Sequence, residues 1–397
     1  MIKSINDTLF TGKRVLVRVD FNVPFAPNGS ISDDTRISAA LPTIDKIIDD
    51  GGIPVLMSHL GRPKGQKNLK YSMKPVADYM ADTFGYRVIF SDDCVGSSAE
   101  KIVNGSIAGD VVLLENLRFY AEEEANDLEF AKKLKRLGDV YVNDAFGAAH
   151  RAHASCDAVA KLFDERYAGN LMINEVSYLG KALTTPIKPF VSVIGGSKIS
   201  GKIDVINNLL NKCDSIIIGG GMMFTFYKAQ GKEIGKSILE EDKVDLAREL
   251  LAKAKEKGVE LLLPVDTVIA DKFDNKANFR TVSVDEIDPE MMGMDIGPKT
   301  IELFVNRIAN AKTVVWNGPM GVFEMDNFAA GTKAVANALA EATKSGATTI
   351  IGGGDSAAAI NQFGLEKAVS HVSTGGGASL EYLEGKVLPG VQALDIH

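Results

Sequence analysis

Segment 348–359 (TTIIGGGDSAAA) combines residue types that could bind a metal-bound nucleotide. Its first half predicts a buried strand and its second half the first turn of a helix, with three glycines at the junction. Glycine lets a backbone approach a ligand closely, and the first N–H groups of a helix are unpaired donors, so such a turn is a typical phosphate site. Asp355 would repel phosphate oxygens unless a divalent cation bridged them. The stretch therefore predicts a metal-bound nucleotide, with a plain turn capped by Asp355 as the alternative.

A second segment, 196–203 (GSKISGKI), fits the phosphate-loop spacing G-x-x-x-x-G-K, but Ile203 stands where that motif has Ser or Thr. The missing hydroxyl is a magnesium ligand in P-loop proteins. Either the segment is no such loop, or the metal is held elsewhere, with Asp355 as the candidate. If a helix starts here, Lys198 and Lys202 would project on one face toward the phosphates. Two solvated lysines at an exposed helix start are the alternative.

The first half of the chain alternates short β-rich runs with amphipathic helical stretches. The predicted strands are 14–19, 53–57, 87–90, 111–115 and 140–142, with helices such as 38–50 and 73–84 between them. This alternation predicts a parallel sheet covered on both faces. In such sheets, ligands bind beyond the carboxyl ends of the strands.

Arginines follow several of these strands. Arg62, Arg118 and Arg151 come after the second, fourth and fifth, and Arg36 follows the loop after the first. A single arginine there is usually a surface residue, but four at equivalent edges of one sheet predict a basic pocket for carboxylates or phosphates. The other polar residues at these strand ends include Asp20, Asn22, His59 and His150. We assign neither histidine as a base, because an imidazole at a strand end more often serves as a structural hydrogen-bonding group.

A domain boundary is predicted near residue 185. Segment 171–183 has apolar residues at helical spacing, and Pro186 cannot continue the helix. The chain then starts a new series of strands, most of which end in glycine. We predict the domains 1–170 and 186–385, joined by the helix 171–185, with the tail 386–397 docked back on the first domain.

Composition narrows the class of protein. With 397 residues, of which 45% are hydrophobic, the chain can form two globular domains. A net charge of −8 argues against nucleic acid or an anionic membrane as a partner. The three cysteines lack metal-ligand spacing, so we expect them to be reduced. No apolar run reaches bilayer length and residues 1–7 lack the apolar region of a signal peptide, which predicts a cytoplasmic protein.

Motifs of several other enzyme classes are missing. No G-x-G-x-x-G fingerprint follows a predicted strand, which argues against an NAD or FAD enzyme. The motifs G-x-S-x-G, H-E-x-x-H and H-R-D are missing as well. Glu324 could accept hydrogen bonds from ribose hydroxyls or could be an ordinary surface glutamate.

Ten ordered segments together resemble phosphoglycerate kinases. They are 14–24, 34–44, 59–65, 113–119, 143–155, 195–202, 292–299, 316–323, 352–358 and 373–381. The resemblance implies an α/β fold of two doubly wound, Rossmann-like parallel-sheet domains joined by a helix and a hinge. It implies that the first domain binds 3-phosphoglycerate or 1,3-bisphosphoglycerate, that the second binds Mg-ADP or Mg-ATP, and that closure of the hinge precedes reversible phosphoryl transfer. It also implies a monomeric enzyme of glycolysis and gluconeogenesis.

The resemblance further assigns roles to residues. The glycerate substrate is expected on Asp20, Asn22, Arg36, His59, Arg62, Arg118 and Arg151. The nucleotide is expected on Lys198, Lys202, Gly293, Glu324, Gly353, Gly354, Asp355 and Ser356, to which we add the strand-end residues Gly219 and Asn317. Asp355 is expected to hold Mg²⁺, and Arg36, Lys198 and Gly375 to stabilise the transferring group.

The expected reaction suits these residues. A carboxylate nucleophile is already ionised at neutral pH, so no general base is needed. What the reaction needs is stabilisation of charge, which Lys, Arg, helix N-termini and a metal supply. Two other interpretations stay open. An NAD-dependent dehydrogenase would lack its fingerprint, and a non-catalytic nucleotide-binding module would leave the four arginines unexplained.

Overall fold

The computed structural model describes residues 2–395, so Met1 and the last two residues of the predicted tail, Ile396 and His397, lie outside the described residues. The strands are β1 (Arg14–Arg18), β2 (Ile53–Met57), β3 (Arg87–Ser91), β4 (Asp110–Leu114), β5 (Val140–Asn143), β6 (Arg166–Ala168), β7 (Phe190–Ile194), β8 (Ser215–Ile218), β9 (Glu260–Leu262), β10 (Asp266–Ala270), β11 (Phe279–Ser283), β12 (Met292–Ile296), β13 (Thr313–Asn317), β14 (Thr348–Gly352) and β15 (His371–Val372). The helices are α1 (Thr35–Asp49), α2 (Lys74–Phe84), α3 (Gly96–Gly105), α4 (Ala121–Glu124), α5 (Leu128–Lys135), α6 (Asn170–Thr184), α7 (Ile203–Leu209), α8 (Met223–Ala229), α9 (Val244–Lys257), α10 (Pro298–Ala309), α11 (Ala330–Lys344), α12 (Gly354–Gln362), α13 (Gly377–Leu383) and α14 (Pro389–Gln392).

The chain divides into two compact units. The first unit takes in the residues up to Ser177 and the segment from Val387 onward, and the second runs from Tyr178 to Lys386. The boundary falls within helix α6. Among the helices of residues 2–395, none combines the length and the apolar composition that crossing a bilayer requires.

The first unit is built on one sheet. In its described residues, six strands pair in parallel in the order β3-β4-β2-β1-β5-β6. Strands β2 and β4 are buried along their whole length, as expected for a sheet covered on both faces. Their side chains pack with those of the amphipathic helices α1 and α2, for example Leu56 with Ile44 and Val76 in one core.

The second unit repeats this architecture with an addition. Its larger sheet has the order β15-β14-β13-β7-β8-β9 over the described range, again all parallel. Strands β10, β11 and β12 form a separate antiparallel sheet, which was not predicted. The two parallel sheets confirm the predicted α/β class.

The segment after Val387 makes specific contacts within the first unit. Gly390 N–H donates to the carbonyl of Ala149 at 2.8 Å, and its carbonyl accepts from Asn143 Nδ2 at 3.2 Å. Arg166 Nη2 donates to the carbonyl of Asp395 at 3.0 Å. These bonds attach the described part of the tail to strands β5 and β6 and to the loop after β5.

The helix predicted to start near Lys198 begins later. Helix α7 starts at Ile203 with Lys202 as its N-terminal cap, so the condition under which both lysines would share one helix face is not met. The preceding residues form a turn instead, since Lys202 N–H donates to the carbonyl of Ile199 at 2.8 Å. Ser200 N–H donates to Glu240 Oε2 at 3.0 Å, which holds this turn outside the helix.

Candidate functional site

Parallel pairing brings the predicted glycerate-binding residues to one edge of the first sheet. Arg18, at the end of β1, is level with Met57 on one side and Asn143 on the other. The loops that carry Asp20 and His59 therefore leave the sheet at the same edge.

Four of the predicted substrate residues are joined around the backbone of Gly61. Asp20 forms an ion pair with Arg36, and its other oxygen accepts the N–H of Asn22 at 3.3 Å. Asn22 Oδ1 accepts the N–H of Gly61 at 2.9 Å. Arg118 Nη1 donates to the carbonyl of Gly61, also at 2.9 Å. The loops after β1, β2 and β4 are thereby held together.

The predicted arginines differ in exposure. Arg118 is only 5% exposed, and burial lowers its pKa, with Arg18 and Arg151 adding to the effect and Glu124 opposing it. Its Nε makes no hydrogen bond within the described residues, although Glu124 Oε1 lies 3.4 Å away. Arg62 and Arg151 are exposed, and Arg62 makes no hydrogen bond or ion pair in residues 2–395. Arg62 is therefore not part of the hydrogen-bonded group around Gly61.

A buried polar network that was not predicted lies beneath this edge. Arg18 is 1% exposed and contacts His59 and Ser155, and Ser155 in turn bonds Glu123. The only signal in the sequence is a charged residue at the end of an apolar strand, RVLVR. Such a residue reads equally well as the exposed end of the strand, so burial could not be inferred.

In the second unit, the glycine turns also share one edge. Asn317 is level with Ile194 and Gly352 on the neighbouring strands. Beyond this edge lies a cavity of about 450 Å³. Its apolar wall includes Met223, Phe224, Ile238, Met294 and Met320. A wall of this kind suits a flat heterocycle.

Three predicted nucleotide residues, Gly293, Glu324 and Asp355, line the cavity. A Cβ on Gly293 would lie 1.9 Å from the ring of Phe224, so a larger residue would displace the wall. Gly219 lies against Met320, whose Sδ would be 2.5 Å from an added Cβ.

The polar end of this site is formed by the turn at the start of α12. Lys202 Nζ donates to Asn317 Oδ1, and the N–H of Gly318 donates to Ser356 Oγ at 2.6 Å. Asn317 Nδ2 is buried without a hydrogen-bond partner in the described residues. Gly353 has a φ of +89°, and a Cβ there would lie 2.9 Å from this nitrogen. Burial lowers the pKa of Lys202, while the charge of Asp355 opposes that shift.

The other residues predicted to bind the nucleotide or the transferring group make fewer contacts with this site. Gly354 begins helix α12 and is exposed. Lys198 is exposed and makes no hydrogen bond or ion pair within residues 2–395. Gly375 is buried in the loop between β15 and α13, where its N–H donates to Ser373 Oγ at 3.1 Å, and it does not line the cavity.

The donor set around Asp355 fits magnesium that arrives with a nucleotide. Among the described residues, no group of three or more His, Cys, Asp or Glu side chains could by itself hold a metal. Asp355 is a single exposed carboxylate in the first turn of α12. Magnesium is commonly bound by one or two carboxylates together with substrate phosphates and water.

Asp295, which was not predicted, lines the cavity and is 1% exposed. Its two oxygens accept the N–H groups of Ile296 and Gly331, each at 2.8 Å. Burial raises the pKa of Asp295 from 3.8 to about 7, although both backbone bonds oppose the shift. The only feature of the sequence that points to Asp295 is a carboxylate within the otherwise uncharged run MGMDI.

Comparisons with known proteins show the family to which this chain belongs. The family model described as phosphoglycerate kinase matches residues 5–386. The chain belongs to the phosphoglycerate kinase family. The phosphoglycerate kinase of Chloroherpeton thalassium is 58% identical over 392 residues, which are 99% of this chain and 98% of the relative. That of Synechococcus elongatus is 58% identical over 97% of this chain and 96% of the relative.

Solved structures of the family superpose on the chain. The phosphoglycerate kinase of Coxiella burnetii has a TM-score of 0.90 at 42% identity, covering 99% of both chains. That of Pyrococcus horikoshii has a TM-score of 0.84 at 32% identity, covering 99% of this chain and 98% of that one. The predicted phosphotransferase activity, reversible transfer between 1,3-bisphosphoglycerate and ADP in glycolysis, is confirmed. The dehydrogenase and the non-catalytic module find no support.

The raised pKa of Asp295 predicts a specific pH dependence of stability. Between pH 3.8 and about 7, the unfolded chain ionises at this residue while the folded chain keeps its proton, so the folded state loses stability as pH rises. Asp295→Asn removes this loss. The variant's free energy of unfolding relative to wild type should rise across that range, by at most about 1.4 kcal/mol per pH unit.

Urea unfolding followed by the fluorescence of Trp316 measures this difference, because the chain's one tryptophan is buried in β13 of the second unit. A pH-independent offset is expected from the altered hydrogen bonds, since an amide has one acceptor oxygen. A difference with no slope between those pH values would show that Asp295 does not take up a proton there.

Proposed function

We propose that the two units divide the reactants. The first unit binds 3-phosphoglycerate or 1,3-bisphosphoglycerate at its sheet edge, and the second binds Mg-ADP or Mg-ATP in its cavity. The observation that carries this proposal is that each site has a buried donor nitrogen without a hydrogen-bond partner in the described residues, Arg118 Nε and Asn317 Nδ2. A buried donor without a partner costs about 1–3 kcal/mol. For Arg118 Nε, the carboxylate of Glu124 at 3.4 Å offsets part of this cost. An anionic oxygen of a ligand would satisfy either atom.

The glycerate site uses guanidinium groups for the anionic ends of its substrate. Their planar forks bind phosphates and carboxylates in a bidentate manner and keep their charge when buried. We propose as contacts Asp20, Asn22, Arg36, His59, Arg62, Arg118 and Arg151. Arg36 forms an ion pair with Asp20 through Nη1 alone, so its other nitrogens are available to the transferring group.

The nucleotide site combines the apolar wall with the glycine turn. We propose as contacts Lys198, Lys202, Gly219, Gly293, Asn317, Glu324, Gly353, Gly354, Asp355 and Ser356. Glu324 lines the cavity, where its carboxylate can accept hydrogen bonds from ribose hydroxyls. Asp355 would hold Mg²⁺, which when bound neutralises charge on the phosphate oxygens.

The chain's own residues stabilise charge and need not move a proton. The substrate carboxylate is ionised at neutral pH, so positioning and electrostatic donors suffice. We propose that Arg36, Lys198 and the loop at Gly375 surround the phosphoryl group in the transition state. The test of this function is ADP formation that requires both ATP and 3-phosphoglycerate, coupled to a dehydrogenase that consumes 1,3-bisphosphoglycerate.

Removing one charge from this set should slow transfer more than it weakens binding. Lys198→Ala and Arg36→Ala are each expected to lower kcat by roughly 10²–10³, with a smaller change in KM. The same coupled assay measures both constants. Lys344→Ala and Arg136→Ala, whose side chains are 79% and 67% exposed, are matched controls and should keep normal rates. Near-normal kcat in Lys198→Ala and Arg36→Ala would exclude the proposed roles.

Asp355→Asn tests whether the nucleotide and the glycerate substrate bind to different units. The variant should raise KM for the Mg-nucleotide by about tenfold or more, since magnesium loses its one carboxylate ligand from the chain. Binding of 3-phosphoglycerate, measured by calorimetry without nucleotide, should not change. Asp245→Asn, at a side chain that is 90% exposed on α9, is the control. If Asp355→Asn also abolished glycerate binding, the proposed separation of the two sites would be wrong.

We further propose that the protein acts as a cytoplasmic monomer in glycolysis and gluconeogenesis, without nucleic-acid or membrane partners. The net charge of −8 supports only the last part, since nucleic acid and anionic membranes favour a basic surface. We assign glycerate binding to the predicted domain 1–170 with its tail, nucleotide binding to 186–385, and a hinge to the helix 171–185. Hinge closure predicts a smaller radius of gyration by small-angle scattering when both substrates are bound. An unchanged radius would contradict closure.

A further inference from the structure

The side chain of Arg18 is buried and uses all three of its nitrogens. Nε donates to Ser155 Oγ at 2.8 Å, Nη1 donates to the carbonyl of Val19, and Nη2 lies 3.1 Å from His59 Nδ1. At 1% exposure it cannot reach a ligand at the surface of the unit. Its contacts are with residues that hold the site, so any influence on the substrate passes through them.

Of the two carboxylates whose charges act on Arg18, Glu123 and Asp20, Glu123 has the larger effect and is fully buried. Ser155 stands between Arg18 and Glu123, since its Oγ donates to Glu123 Oε1 at 2.5 Å while accepting from Arg18. The backbone fixes this serine, because its N–H donates to Glu123 Oε2 at 2.9 Å and its carbonyl accepts from Tyr141 Oη at 2.8 Å. Arg18 is therefore held in one orientation.

The contact with Arg18 determines which nitrogen of His59 carries the proton. An arginine is always a donor and never an acceptor, so Nδ1 of His59 must accept. The proton of the neutral ring is then on Nε2. Nε2 has no hydrogen-bond partner in residues 2–395 and is not among the fully buried unbonded atoms, so it is open to a ligand.

The surroundings also keep the ring of His59 uncharged. Burial lowers the pKa of His59 well below its ordinary value, and the charges that face it add to the shift. These groups are Arg18, Arg118, Arg36 and His153. Burial also lowers the pKa of His153, to about 4.

We propose that Arg18 is a positioning residue that holds His59 as its neutral Nε2–H tautomer, so that His59 gives the glycerate substrate a directed hydrogen bond and no charge. This inference rests on the proposed glycerate site. In this inference the arginines supply the positive charge of that site, and His59 supplies an uncharged hydrogen-bond donor in a fixed position.

The tautomer can be read directly by long-range ¹H–¹⁵N NMR of histidine-labelled protein. Nε2 couples to both ring protons and Nδ1 strongly to one, and a protonated nitrogen is well separated in shift from a bare one. His59→Gln identifies the signals of His59 among the five histidines. We expect a bare Nδ1 and a protonated Nε2 at neutral pH. An Nδ1–H ring or an imidazolium would overturn the proposal, and this measurement needs no variant of Arg18.

Two variants test whether Arg18 is the cause. Arg18→Lys keeps the charge that balances Glu123, but one ammonium cannot occupy the three positions of the guanidinium nitrogens. Arg18→Met with Glu123→Gln removes both charges together and avoids leaving one buried alone. In both, the His59 signals should become those of a tautomer mixture, and KM for 3-phosphoglycerate should rise about tenfold while KM for the nucleotide stays the same.

The matched control is Arg14→Met with Asp139→Asn, which removes another Arg–carboxylate pair from the same strand, joined at 2.6 Å. It should leave the His59 signals and the KM for 3-phosphoglycerate unchanged. Retention of the Nε2–H tautomer in the Arg18 variants would overturn the role of Arg18. A changed tautomer with unchanged KM would instead contradict contact between His59 and the substrate, so failure of the proposed glycerate site can be told apart from failure of the inference.

Discussion

Parallel strand pairing determines where both proposed sites lie. Strands that run in one direction end at one edge, so the ends of β1, β2 and β5 are level in the first unit, and those of β7, β13 and β14 in the second. Residues far apart in sequence are thereby placed on adjacent turns. The sheets beneath are apolar, with β2, β4, β7 and β13 fully buried. The loops can therefore carry polar groups while the sheets supply the stability.

Burial decides which cations keep their charge at these edges. Desolvation disfavours the charged forms of lysine and histidine, and burial lowers the pKa of Lys202, His59 and His153 for that reason. Arginine stays charged. In a protein with a net charge of −8, the buried guanidinium groups at the edge of the first sheet therefore supply positive charge that does not depend on pH. Arg118 is a buried arginine among the proposed substrate contacts. Arg18 is also buried, but it supports His59 and does not contact the substrate.

The sequence predicted what depends on local pattern. Strand ends and glycine turns were found because apolar periodicity and the missing Cβ of glycine act within a few residues. The turn before α7 was missed because a hydrogen bond from Ser200 to the distant Glu240 helps to hold it. Arg18 and Asp295 were missed because the burial of a charged side chain depends on which elements pack over it. The antiparallel sheet was missed because its outer strand β11 is exposed at three of five positions.

Both sites retain a local defect in hydrogen bonding. A buried donor without a partner lowers the stability of the folded state, and natural proteins keep few of them. Within residues 2–395, Asn317 Nδ2 and Arg118 Nε make no hydrogen bond, although Glu124 Oε1 lies 3.4 Å from Arg118 Nε, and each atom lies at the edge of its own sheet. A ligand oxygen that accepts a hydrogen bond from either atom would remove the cost of leaving that donor unpaired. This removed cost would add to the binding free energy of the ligand. The apolar sheets make this defect tolerable, because their burial exceeds its cost.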